Sequence, residues 1–300
     1  MLETVPVLRA NEISDALWAV IEPVLPSLAG RRGRPWNDHR LTLEGIIWRF
    51  RTGSPWRDLP ECFGPWQSIW ERHRRWSDDG TYVRMFAVPR YGPRPPRTRG
   101  TARTSAVDRF DRCPRPPAFG RCADRCPHRG ARSNDKNLAG EPADHALGRS
   151  RGGLSTKIHA LTDTFCCPLT LLLSPGQAGD NPYLAPLLDA HRAHDTERFR
   201  LLADKAYSHP STRKHLRERR ISHTIPERSD QIRRRKAKGP DGGRPPAFDK
   251  DLYRERNTVE RGFGRLKQWR GIATRYDKYA TTFLGGVLLG ATVIHHRVRK

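Results

Sequence analysis

The sequence predicts an α/β chain in which a mixed sheet with flanking helices, over residues 142–300, follows a small all-α domain at residues 11–86. Three observations predict it. Residues 11–86 carry apolar positions at helical spacing, punctuated by cap and turn residues. From Leu154 onward, apolar runs of strand length alternate with segments of helical period. Near the C-terminus, Phe248–Ile272 carries two adjacent stripes at helical spacing, and the rest of the chain is organised around it.

In the N-terminal domain Ser14 is placed to cap a helix carrying Leu17, Val20, Ile21 and Val24, which Pro26 ends. A basic turn from Gly30 to Pro35 contains Arg32 and Arg34. Asp38 opens a second helix with Leu43, Ile46, Ile47 and Phe50 inward and Gly53 at its end. A short helix around Arg57 to Phe63 and a turn at Gly64 lead to Pro65 at the first position of a third helix. Its inner side holds Trp66, Ile69, Trp70, His73 and Trp76, with Arg72, Arg74 and Arg75 outside or at the flank, and Gly80 closes it. A short helix, a tight turn and a basic helix fit a helix-turn-helix DNA reader. The same pattern fits an ordinary three-helix module with a charged surface. Arg32 and Arg34 fit a minor-groove hook or a plain solvated loop.

Residues 87–141 break the pattern. Val88 to Ala131 hold 11 Arg and 8 Pro with no Leu, Ile, Lys or Glu, and neither period is visible. That composition predicts an irregular, disordered basic segment. Cys113, Cys122, Cys126 and His128 sit at spacings that match no common zinc pattern.

Leu154–Thr162 and Leu169–Leu173 form a predicted hairpin turning at Asp163. Pro182–His191 is a helix, and Phe199–Ala203 a short buried strand that delivers Asp204 at its C-terminal end. Ser211 caps a basic helix to Arg220, Ile221–Ile225 returns as a strand, and Arg233–Lys238 lies in a loop. Thr281–Val298 is a final apolar helix ending in His295-His296. Asp163 and Asp180 are predicted to be structural, as a turn residue and a helix cap, and His145 and His159 are weak site candidates.

The formal charge is +24, from 56 Lys plus Arg against 32 Asp plus Glu. Folding does not need that excess, whereas polyanion binding uses it, so nucleic acid is the expected partner. A run of about 18 apolar residues, the length a membrane helix needs, is absent, and the expected location is the cytoplasm. Six cysteines do not make a disulfide framework.

Within Phe248–Ile272, Asp249 is a candidate N-cap and Gly271 a candidate C-cap. Leu252, Val259, Phe263 and Leu266 make one apolar face, while Tyr253, Arg256, Glu260 and Lys267 share the neighbouring ridge. A solvated helix with ion pairs one turn apart would also look like this. The spacing Tyr253-x2-Arg256-x3-Glu260-x6-Lys267, however, resembles the glutamate signature of the DDE-type bacterial insertion-sequence transposases. The continuation LKQWRGIATRYDK is similar to their "insertion sequence five" group.

That resemblance implies a ribonuclease-H-like domain performing DNA cleavage and strand transfer at insertion-sequence ends. It implies Asp204 and Glu260 as metal-binding acids for Mg²⁺ or Mn²⁺, with Lys267 acting beside them in catalysis. Tyr253 and Arg256 would stand near the DNA, together with Arg72, Arg74, Arg75, Arg32 and Arg34. The partners implied are double-stranded DNA, at the terminal repeats and the target, and a further copy of the chain. The family's first acid is missing from its expected place. Read one base further along in high-GC codons, the message behind RFDRCPRPPAFGRC decodes as DSTVVRAHQHSAG, which resembles the family's first catalytic strand. The expectation is therefore a segment out of frame, a missing first strand and an inactive chain, or a DNA-binding remnant without chemistry. Asp108 and Asp111 lie close by, but the role is not carried over to either, because their Arg- and Pro-rich neighbours argue against a buried strand.

Overall fold

The structure, a computed structural model, describes residues 12–27, 38–91, 103–114, 140–192 and 199–298. The helices described are α1 (Asp15–Ile21), α2 (His39–Thr52), α3 (Trp66–Asp78), α4 (Thr81–Tyr91), α5 (Leu184–Arg192) and α6 (Pro210–Glu218). They continue with α7 (Ser229–Ala237), α8 (Lys250–Tyr253), α9 (Asn257–Lys267), α10 (Arg270–Ala273) and α11 (Ala280–Val298). The strands are β1 (Arg103–Pro114), β2 (Gly148–Ser150), β3 (Gly153–Thr162), β4 (Pro168–Pro175), β5 (Phe199–Ala203) and β6 (Ser222–Thr224).

Contacts divide the chain into a helical unit and an α/β unit. The helical unit draws on both ends of the sequence. α1 begins at Ser14, whose hydroxyl accepts from the Leu17 N–H at 3.3 Å. It stops at Ile21, where Pro23 turns the chain into a 3₁₀ turn, so Val20 stays 37% exposed. Asp38 caps α2 by accepting from the Leu41 N–H at 2.8 Å, and Gly53 ends it at φ 72°. Leu43, Ile46, Ile47 and Phe50 are fully buried, each worth about 1.5–3 kcal/mol of apolar burial. Two 3₁₀ turns, Trp56–Asp58 and Glu61–Phe63, stand where a short helix is expected.

The final helix differs from expectation. Sequence order places it with the sheet, but α11 lies against α2, α3 and α4 in the helical unit. Its sequence, rich in small and apolar residues, suits a helix buried on most sides. The Glu141 carboxylate accepts from the Ala280 and Thr281 N–H groups at 2.7 and 2.9 Å, placing an anion on the helix start. Arg49 of α2 and Asp277 form a buried ion pair at 2.8 Å just before α11. Gly271 is no C-cap: it lies within α10, and a Cβ there would come 3.0 Å from the Phe50 Cα, so glycine serves the approach of α10 to α2.

In the α/β unit the sheet order is β2-β3-β1-β5-β6, with β4 paired to β3. β1 is antiparallel to β3 and parallel to β5, which is parallel to β6. The expectation of a missing first strand is corrected here: Arg103–Pro114 fills the centre of the sheet. Tertiary context overrides composition, because β3 and β5 each offer a free row of backbone groups that only a strand can satisfy. The run Thr104-Ser105-Ala106-Val107 is itself compatible with a strand. On β5, Leu201, Leu202 and Ala203 are all fully buried, as befits a strand covered on both faces. Leu184, Leu187 and Leu188 of α5 and Leu216 of α6 complete that core. The stretch expected as a loop at Arg233–Lys238 is mostly α7, started by the Gln231 side chain accepting from the Arg228 N–H at 3.2 Å.

Candidate active site

Phe248–Ile272 is not one helix. Asp249 caps α8 by accepting from the Leu252 N–H at 3.0 Å, a 3₁₀ turn follows at Arg254–Arg256, and α9 then runs to Lys267. α9 is fixed to the sheet by its apolar face, with Val259 and Leu266 fully buried and Phe263 6% exposed. Gly262 permits the close approach: a Cβ would come 2.9 Å from the Cys166 carbonyl oxygen in the hairpin turn. Arg265 adds a bond to the Phe165 carbonyl at 2.9 Å.

This docking leaves Glu260 exposed on the side away from the buried stripe. Arg256 donates to its carboxylate at 2.6 Å, and the guanidinium also lies over the Tyr253 ring at 5.7 Å. Tyr253 in turn packs its ring against Phe248, with centroids 5.2 Å apart. Lys267 is exposed at the last residue of α9. The turn closed by Arg256 contacts both β1 and β5, and α9 contacts β1 and β3.

Asp204 follows the last residue of β5, half-buried, with one carboxylate oxygen accepting from the Lys205 N–H at 2.6 Å. Val107 of β1 pairs with Ala203 of β5, and Asp108, the next residue, pairs with Ala160 of β3. Sequence reasoning set Asp108 aside. The Thr-Ser-Ala-Val run leading into it is compatible with a strand, whereas the arginines and prolines that follow are not.

Other candidates resolve into structural roles. Asp163 closes the β3–β4 turn, accepting from the Phe165 and Cys167 N–H groups at 3.0 and 2.9 Å. Asp180 makes an ion pair with Lys157 at 3.1 Å rather than a cap. His159 is fully buried, bonded to Ser174 at 2.7 Å and stacked on Tyr183.

In the helical unit, the expectation for Arg72 is corrected: it is 7% exposed, not outside. It lies three residues after Ile69 and four before Trp76, on the buried face. His39 donates to the Pro26 carbonyl, so its Nδ1 accepts from Arg72 at 2.8 Å. Arg74 is half-buried beside Trp70, and Arg75 is exposed next to Glu71. Arg32, Arg34, Cys122, Cys126 and His128 lie outside the described residues.

Hard oxygen donors such as Asp204 and Glu260 suit a divalent cation such as Mg²⁺. Among the described residues no group of three or more His, Cys, Asp or Glu side chains converges. Asp204 and Glu260 lie on elements that both border β1. No described helix is long and apolar enough to cross a membrane.

The chain thus has a helical unit and a mixed α/β unit, with one acid after β5 and another on a helix bordering β1. Residues 122–292 match the family described as "Transposase DDE domain", and the chain belongs to it. Residues 13–86 match the family described as "Putative transposase of IS4/5 family". The chain is similar to the "Putative transposase for insertion sequence element IS6501" of Brucella ovis, 33% identical over 141 residues, 47% of this chain and 98% of that protein. It is also similar to "Uncharacterized protein y4sN" of Sinorhizobium fredii, 36% identical over 77 residues, 25% of this chain and 61% of that protein. A third relative, "Insertion element IS402 uncharacterized 16.2 kDa protein" of Burkholderia cepacia, is 39% identical over 82 residues, 25% of this chain and 56% of that protein. No solved structure matches the chain.

Proposed function

We propose that this transposase is built to cut and join DNA at insertion-sequence ends by metal-assisted phosphoryl transfer on a ribonuclease-H-like sheet. The observation that carries the reading is that Asp204 follows the end of β5, while the turn closed by Arg256, which leads into the helix bearing Glu260, contacts both β5 and β1. Asp204 and Glu260 would hold the cation. Bound divalent ions supply activation of a water or 3′-hydroxyl and stabilisation of the leaving oxygen. Arg256 steadies Glu260 through the bond described, and Lys267, farther along the same helix, offers a point charge to a phosphate. The helical unit holds DNA through exposed cations such as Arg75.

As translated, the chain is proposed to bind ends without turning them over. The match to the transposase DDE domain begins at residue 122, beyond Asp108, and the residues around Asp108 are rich in Arg and Pro. The second reading, favoured by the strand register, has Asp108 restoring a working site. Incubating the purified chain with labelled end duplexes and Mg²⁺ or Mn²⁺ separates the two. Binding with no nicking is expected. Nicking that disappears in Asp108→Asn and Asp204→Asn would establish the second reading, and failure to bind DNA at all would overturn both.

A further inference from the structure

A cleft of about 870 Å³ opens beside β6 and shares no lining residue with Asp204, Arg256, Glu260 or Lys267. Arg200 of β5, Arg213 and Arg217 of α6, Arg220 just beyond it and Arg244 before α8 all line it, with the Phe248 ring 44% exposed at its edge. Among the described residues no carboxylate pairs with Arg200, Arg217, Arg220 or Arg244, in contrast to Arg219 with Asp189 and Arg235 with Glu227. The cleft's own carboxylate, Asp249, is occupied in capping α8.

A second observation points to a ligand. Arg213 is 6% exposed and spends Nη2 on the Ile225 carbonyl at 2.8 Å, yet its Nη1 is buried with no partner. A buried guanidinium short of an acceptor gains from negative charge placed near it, which Glu227 supplies in part. Arg213 and Arg217 lie one turn apart on α6, and Arg220 follows just beyond its end, so the three gather on one wall of the cleft.

We propose that this arginine cleft seats the sugar–phosphate backbone of duplex DNA, apart from the acid-bearing site, without metal and without reading sequence. The proposal rests on the reading of the chain as a protein that acts on DNA. Guanidinium groups gathered without base-reading partners position a duplex rather than select one. The cleft therefore holds flanking or target DNA as readily as an end sequence.

The test is anisotropy titration of the full chain against a labelled random-sequence duplex in EDTA over a range of salt. The Arg217→Gln/Arg220→Gln/Arg244→Gln variant is expected to bind about tenfold or more weakly, with the slope of log K against log salt reduced by about 2–3. An Arg233→Gln/Arg234→Gln control on exposed α7 is expected to keep most of the wild-type slope, and unchanged melting curves exclude misfolding. Wild-type affinity and slope in the triple variant, equal loss in the control, or a loss confined to single strands or RNA would each overturn the proposal. Because EDTA removes cleavage from the experiment, its outcome is independent of whether the acids at β5 and α9 perform chemistry.

Discussion

Val107 and Ala203 are in-register partners on neighbouring parallel strands, and Asp108 and Asp204 are the residues that directly follow them in sequence. A carboxylate such as Asp204 at a strand end is a hard oxygen donor of the kind that suits a divalent cation. The prediction is that Mn²⁺, followed by paramagnetic resonance, binds the purified chain, and that Asp204→Asn weakens it by about tenfold or more. Asp108→Asn weakens it comparably if β1 supplies a ligand. An unchanged Mn²⁺ titration in Asp108→Asn would show that the acid on β1 takes no part, and would leave the proposal of a chain without turnover standing.

The Arg49–Asp277 pair ties α2 to the segment that leads into α11, and both side chains are almost fully buried, at 3% and 5% exposure. Arg49 also lies over the rings of Phe50 and Trp56. Removing one member leaves the other charge buried. Asp277→Asn or Arg49→Met is expected to lower stability by about 3–5 kcal/mol in urea unfolding, and replacing both by apolar residues should cost less than either alone. Single variants that unfold like wild type would mean that water reaches the pair.

Gly286 of α11 faces the Phe50 ring so closely that a Cβ would overlap it. Phe50 is fully buried and cannot swing aside without opening the contact between α2 and α11. Gly286→Ala therefore sets a helix-propensity gain of about 1 kcal/mol against overpacking of about 1–3 kcal/mol. Net destabilisation is expected in thermal unfolding, relieved by Phe50→Leu in the same chain. A simple rise in melting temperature for Gly286→Ala would show that the helices separate freely.

These contacts mark what could and could not be read from the chain. Caps at Ser14, Asp38 and Asp249, the buried stripe of α2 and the strand ending before Asp204 follow from local chemistry, and the structure has them where the residues place them. The destination of α11 was not legible, because an apolar helix is equally suited to either unit and only its glycines encode the partner. Arg72 was misread because a charged residue on a buried face is tolerated only with a partner such as His39, which lies far off in sequence. β1 was illegible for the opposite reason: its own residues argue weakly for a strand, and its place comes from the unpaired backbones of β3 and β5. The pairing of Arg256 with Glu260 followed directly from their spacing on one helix turn.

His73 makes the helical unit sensitive to acid. Its ring is fully buried, with Nε2 donating to the Thr282 carbonyl at 3.1 Å and Nδ1 accepting from the Tyr82 hydroxyl at 2.7 Å. Burial is the main force pushing its pKa down to about 4, with Arg49 adding to it and Asp277 opposing it. An unfolded histidine takes up its proton near 6.5, so between about 6.5 and 4 the unfolded chain holds more protons than the folded one. The stability this residue contributes is complete above that range and is lost as pH falls, by roughly 2 kcal/mol at pH 5 and on the order of 3 kcal/mol near pH 4. Urea unfolding at pH 7 and pH 5 should show that loss in wild type and a smaller one in His73→Gln, which keeps an amide to bond Thr282 but cannot be protonated. Parallel pH dependence in the two proteins would show that other groups govern the acid response and that His73 is not held neutral by its burial.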